Sequence, residues 1–189
     1  MKKLQDVIQL ISGSPQFRIV ESHAENSPVY YFYGQQELEN DLTGIELNCE
    51  SAKEISTMDD VSLLKEGDVL FSLISGRTTV VRKVHQGYLY TQNYVKLLPG
   101  ANIDKKYLVF LLNENDFIRK QWLIGLQGTA VLKYTVKQLR ELELPQLPSY
   151  EKQKVIGNIY FGQLRLQALK VRVAENERLL VLKKLKEVK

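Results

Sequence analysis

Apolar positions along the chain change period several times, and each change predicts an element. Leu4, Val7, Ile8 and Ile11 recur at helical spacing until Gly13-Ser14-Pro15, so the pattern predicts a short helix over 3–11. FRIV at 17–20 and VYYFY at 29–33 are β-branched or aromatic runs, the second stopped by Gly34, and both read as strands. Residues 35–62 are polar and acidic, with Leu42, Ile45 and Leu47 as buried points; the expectation is loop with one strand near 45–48. Strand signals then become dense: DVLFSLI (68–74), TTVVRKV (78–84), YLYTQ (88–92) and YVKLL (94–98), parted by Ser75-Gly76 and Gln86-Gly87 and closed by Pro99-Gly100. Such short breaks favour antiparallel hairpins, because parallel strands need long crossovers.

From 104 to 125 the period returns to that of a helix, through Tyr107, Leu108, Leu111, Leu112, Phe117, Ile118 and Trp122, and a glycine-punctuated loop, GLQGTAVLKYT, follows. Leu142 to Pro148 reads as an extended connector, since each proline removes a donor and turns its predecessor away from helix. After Ser149, placed as an N-cap, residues 150–188 hold no proline and only Gly157 and Gly162 as breaks. The predicted helix would be about 57 Å long. Ile159, Leu166, Val173 and Leu180 recur every seven residues, joined by Leu169, and such a stripe calls for a partner helix. The expected class is therefore α/β (α+β): a curled, mostly antiparallel sheet with packed helices over 1–148, then a long coiled-coil helix over 149–189.

Composition narrows the class without naming a function. The chain has 189 residues, 44% of them apolar and 25% charged, enough for one good core. No apolar run nears the roughly 20 residues that span a bilayer, and Asp6 and Gln9 interrupt any signal-peptide core. No membrane association and a cytoplasmic location are expected. The net charge of +4 is unevenly spread: residues 1–64 carry −7, whereas 65–137 and 151–189 carry +6 each. Local clusters of Lys and Arg attract a polyanion, so the basic middle and tail are candidate nucleic-acid faces, although charge alone is as simply read as a solvated surface.

Several blocks in a fixed order are more informative. Leu64-Lys-Glu-Gly67-Asp68-Val69-Leu70-Phe71-Ser72, the basic turn at Gly76-Arg77, Asn93-Tyr94-Val95, Gly128-Thr129 through Tyr134-Thr135-Val136, and LPQLPSYEKQKVI at the head of the long helix follow one another along the chain. In this order they resemble a target-recognition domain of the specificity subunits of type I restriction-modification systems. The resemblance implies a non-catalytic reader of double-stranded DNA that needs no cofactor of its own and docks onto a methyltransferase (modification) subunit and a restriction subunit. Specificity subunits of that family usually carry two recognition domains and two long helices; this chain has one of each, so two copies would rebuild a full reader as a homodimer on a palindromic, interrupted site. A truncated or silent cassette is the other reading of that length.

Side chains suited to bases and phosphates fall in predicted turns: Arg77, Thr78 and Thr79; Gln92 and Asn93; and Gln127, Gly128, Thr129, Lys133 and Tyr134. Arg reads guanine, Asn and Gln read adenine, and Thr methyls meet thymine, while Lys and Tyr hold phosphates. Asp68 after Gly67 reads as a turn-former. Two rival functions stay open: a protein-interaction module, and a small nuclease gathering Glu66, Asp68 and Lys83 around a metal. A methyltransferase is disfavoured, because neither a glycine-rich cofactor loop nor an Asn/Asp-Pro-Pro-aromatic is present. A Cys49 nucleophile with His23 or His85 has no supporting spacing.

Overall fold

A computed structural model describes residues 2–24, 26–46, 52–126 and 134–187. Its main sheet is built from β1 (Ile8–Ser12), β4 (Val69–Ser72), β5 (Thr78–Val80) and β6 (Tyr94–Pro99), in the order β1-β6-β4-β5 and antiparallel throughout. A second, two-stranded antiparallel sheet pairs β2 (Val29–Tyr31) with β3 (Glu54–Ser56). Four helices flank them: α1 (Gln35–Thr43), α2 (Lys105–Glu114), α3 (Asp116–Leu126) and α4 (Val136–Glu141). The last element, α5, runs unbroken from Tyr150 to Glu187. The predicted class, a mixed α/β body with antiparallel sheets and a long C-terminal helix, is the class observed.

The core lies between the sheet and α2–α4. Val69 and Phe71 from β4 and Val95 and Leu97 from β6 pack on Leu108, Leu111, Leu112, Ile118, Trp122 and Leu139. The face bearing Leu70 closes a second cluster with Tyr33, Leu38, Leu64, Val81, Tyr90 and Tyr94. All four residues of β4 are buried, as expected for a central strand covered on both faces.

Four local expectations are corrected, and a fifth is tested only in part. Residues 3–11 are not a helix: a 3-10 turn at Leu4–Asp6 leads into β1, because β6 pairs with Ile8 through Ser12, and that non-local ladder outweighs the local period. FRIV is no strand either; Gln16–Arg18 is a 3-10 turn after Pro15, and Phe17 and Val20 are exposed. Residues 35–43, expected to be loop, form α1, with Gly34 as its N-cap and Gly44 as its left-handed C-cap. Gly34 therefore starts a helix as well as ending a strand. The strand expected near 45–48 falls partly outside the described residues, and Ile45 and Glu46 belong to no element. YLYTQ makes only isolated bridges, Leu89 to Phe32 and Leu63, and Thr91 to Ser14.

The connector is extended as predicted, and it is pinned to the N-terminus: Leu4 and Leu144 donate to the carbonyls of Leu142 and Lys2. The first turns of α5 then pack on α2, where Gln153 and Gly157 are buried. A Cβ on Gly157 would lie 2.6 Å from Lys106 Cβ and 2.7 Å from the Tyr107 nitrogen, so only glycine allows this approach. Beyond residue 164 almost every α5 side chain is exposed.

Candidate functional site

The turn between β4 and β5 is held by one hydroxyl. Ser72 Oγ accepts from the amides of Ile74 (3.1 Å) and Ser75 (3.2 Å) and from Gln35 Nε2 (2.7 Å). Gly76 closes the turn with φ +69 and donates to the Ser72 carbonyl at 2.9 Å. The ring of Tyr134 sits where a Cβ on Gly76 would be. Two further links bring separate loops to this end of the sheet: Leu73 N–H donates to Asn93 O (2.8 Å), and Tyr134 N–H donates to Leu73 O (3.3 Å). Arg77, Asn93 and Tyr134, drawn from three sequence-distant turns, are thereby gathered at one edge.

Arg77 is half-exposed, and its Nη1 donates to both carboxylate oxygens of Glu39 on α1, at 3.0 and 3.2 Å. Tyr134 packs edge-on against Trp122, with centroids 4.9 Å apart, and Trp122 stacks on Phe71 at 5.5 Å. A cleft of about 400 Å³ opens beside the turn, with Arg77, Arg119, Asn113, Glu114, Trp122 and Tyr134 in its wall. Tyr160 caps the Glu114 carboxylate from α5, donating to it at 2.8 Å. Burial pushes the Tyr160 hydroxyl up to about 12.

The remaining predicted residues are placed differently. Thr78 and Thr79 are not in the turn but on β5, fully buried; the Thr78 amide donates to Asn113 Oδ1 (2.8 Å), and Asn113 Nδ2 donates back to the Thr78 carbonyl (2.9 Å). Their side chains are beyond the reach of a duplex in this conformation, because both residues pair with the central strand, Thr78 opposite Phe71 and Thr79 opposite Leu70. Gln92 is exposed and joins the β1 side, its amide donating to Ser14 O at 2.9 Å. Gln127, Gly128, Thr129 and Lys133 lie outside the described residues. Along α5, Ile159, Leu166, Leu169, Val173 and Leu180 are all exposed, between 41% and 66%, so this chain alone does not cover the heptad stripe.

What places Glu39 beside Arg77 is a buried network that the sequence did not disclose. Two residues along α1, the wholly buried Asp41 carboxylate accepts from Tyr33 OH (2.7 Å), His85 Nδ1–H (2.7 Å) and the Arg82 amide (3.2 Å). Burial, then the Asp41 charge, raises the Tyr33 hydroxyl well above its ordinary value. The available signal was Leu38 and Leu42 at i, i+4 ahead of Gly44, the mark of a short helix that would carry Glu39 and Asp41 on opposite faces, one outward and one inward.

The other chemistries find no assembled site. Asp68 accepts from the Lys65 amide at 2.9 Å, as a turn-former does, and faces Lys96 at 3.4 Å. Among the described residues no group of three His, Cys, Asp or Glu could hold a metal ion. His85 is committed to Asp41, His23 is exposed, and Cys49 lies outside the described residues. No helix among the described residues is long and apolar enough to cross a membrane.

Comparison with solved structures returns the same fold. An HsdS subunit from Thermoanaerobacter tengcongensis is similar over 97% of this chain and 41% of its own, at 20% identity and a TM-score of 0.58. A chain from a study of complex assembly and conformational transition of the type I R-M system is similar over 97% of this chain and 42% of its own, at 20% identity and a TM-score of 0.61. This chain thus spans about two fifths of the length of the solved chains it matches. Among curated proteins none matches it in sequence. The model of the type I restriction modification DNA specificity domain matches residues 1–164, most of the chain. The chain therefore belongs to the type I restriction modification DNA specificity domain family.

Proposed function

We propose that the chain is the DNA-reading part of a type I restriction-modification complex: residues 1–148 bind double-stranded DNA sequence-specifically, and residues 149–189 mediate pairing and subunit docking. It works as a homodimer in the cytoplasm, needs no cofactor, and leaves methyl transfer and cleavage to modification and restriction subunits. The observation that carries this reading, beside the family, is the convergence of Arg77, Asn93 and Tyr134 on one edge. An arginine, an amide and a phenol at one edge suit base and phosphate contacts. The Arg77–Glu39 pair does not oppose it. Both side chains are more than a third exposed, and such pairs contribute about 0–1 kcal/mol, little enough for a guanine edge or a phosphate to displace Glu39.

The test uses a duplex selected from a random pool by the chain together with the modification subunit. Arg77→Ala should lower affinity for that duplex by roughly 10- to 100-fold, the equivalent of about 1–3 kcal/mol, and barely change binding to unrelated DNA. Lys133→Ala should weaken both and make the salt dependence shallower by about one charge. Equal losses on the two duplexes would remove Arg77 from the base-reading set.

A further inference from the structure

Gly162 lies in a helix, where glycine is costly, and nothing in the described chain explains it. Gly157, five residues earlier, is required by the contact with α2, but no atom lies within 4 Å of where a Cβ on Gly162 would stand. Gly162 instead forms part of the wall of a crevice of about 580 Å³ between α5, the C-terminal end of α1 and the segment after β5. A helical glycine open to a cavity keeps room for something that approaches the helix backbone.

The charges around this crevice identify what that is. Arg165, one turn from Gly162, has no hydrogen bond or ion pair among the described residues, and its stem lies 3.7 Å from the Cβ position of Gly44. Lys83 is exposed and likewise unpaired among the described residues, and Lys106 donates to the neutral Asn158 Oδ1 at 2.8 Å and lies 5.8 Å from the Phe161 ring centroid, with no carboxylate partner among the described residues. Arg82 reaches Glu46 only at 3.8 Å, and its Nη1 is buried with no acceptor among the described residues. The carboxylates in the same wall do not balance these cations. Asp41 already serves three donors, which leaves Glu66 alone. Uncompensated cations in one wall attract an oxyanion, and guanidinium groups hold phosphoryl oxygens through charge-assisted hydrogen bonds.

We infer that this crevice binds a phosphoryl oxyanion larger than a single phosphate, seated between Arg165 and Arg82 against the bare backbone at Gly162. It is separate from the edge carrying Arg77, which enters β5 at its other end, and the inference does not depend on that edge reading bases. The phosphoryl group comes either from a free diphosphate-bearing molecule or from the backbone of a nucleic acid.

The probes are inorganic pyrophosphate, followed by thermal melting at ionic strength balanced with sodium chloride, and a random-sequence duplex, followed by direct binding. The variants are Arg165→Ala and Gly162→Leu; the leucine's Cβ meets no atom of the described chain within 4 Å, and the residue lies in the crevice wall. Without ligand, Gly162→Leu should melt no lower than the parent, since leucine is the better helix former. For the bound probe, both variants should lower affinity at least tenfold. A saturable rise in melting temperature with pyrophosphate that both variants abolish assigns the site to a free phosphoryl ligand. Loss confined to the duplex assigns it to backbone phosphates. If both variants bind both probes as the parent does, or the parent binds neither, the inference is overturned.

Discussion

A carboxylate with no exposed surface is kept at position 41 because a phenol, an imidazole and an amide all donate to it. The same economy governs the buried tyrosines. Burial raises the hydroxyls of Tyr94 and Tyr160 to about 12, against the weaker opposing effects of the Gln35 and Asn113 hydrogen bonds. In the unfolded chain a tyrosine ionises near pH 10, so the folded state favours the neutral form. That contribution is complete below about pH 10 and is lost as pH rises toward 12. Phenolate absorbance should show these two groups, together with Tyr33, ionising only well above pH 10, with unfolding by urea becoming easier over the same interval. Ionisation of every tyrosine near pH 10 in the native protein would contradict it. None of this is legible from residue types: Tyr33, Asp41 and His85 are widely spaced, and only the fold joins them.

At the scale of elements, the contact between α2 and α5 sets where the long helix leaves the body. Its close approach at Gly157 and the Gln153 side chain, which accepts from the Asp104 amide and donates to the Asn102 and Pro148 carbonyls, fix the helix root. Gly157→Ala would push a Cβ into backbone, a cost on the order of 1–3 kcal/mol, although alanine favours an isolated helix. The expected result is a lower midpoint in chemical denaturation. A midpoint at or above the parent's would mean that the two helices are not held at this distance. The elements read correctly from sequence are those whose period and environment agree: β4, β6, α2, α3 and α5. Those misread, β1 and α1, have apolar residues that satisfy two periods, and pairing with β6 or packing on β5 decides between them.

For the whole molecule, the decisive feature is an uncovered stripe. Ile159, Leu166, Leu169, Val173 and Leu180 are exposed along a helix of about 57 Å that the body covers only at its start. A heptad stripe of that length is the surface a second helix covers. Under the proposed homodimer, the solution mass by light scattering should be near twice 21.8 kDa, and Leu166→Asp with Val173→Asp should halve it. An unchanged mass in that double variant would show that the stripe is not the pairing surface.

The sequence by itself determined the class of fold, the central strands, the long helix and the family, because these depend on periodicity and on the order of short blocks along one line. It also nominated Arg77, Asn93 and Tyr134, since turns announce themselves through glycine and polar residues. Only the tertiary structure decided that those three share an edge, that Thr78 and Thr79 are buried, that Glu39 holds Arg77, and that Gly157 is filled by a neighbour while Gly162 faces open space. The reason is physical: burial and contact between residues far apart in sequence are set by strand pairing and helix packing, whose outcome at any one position depends on partners that local sequence does not contain.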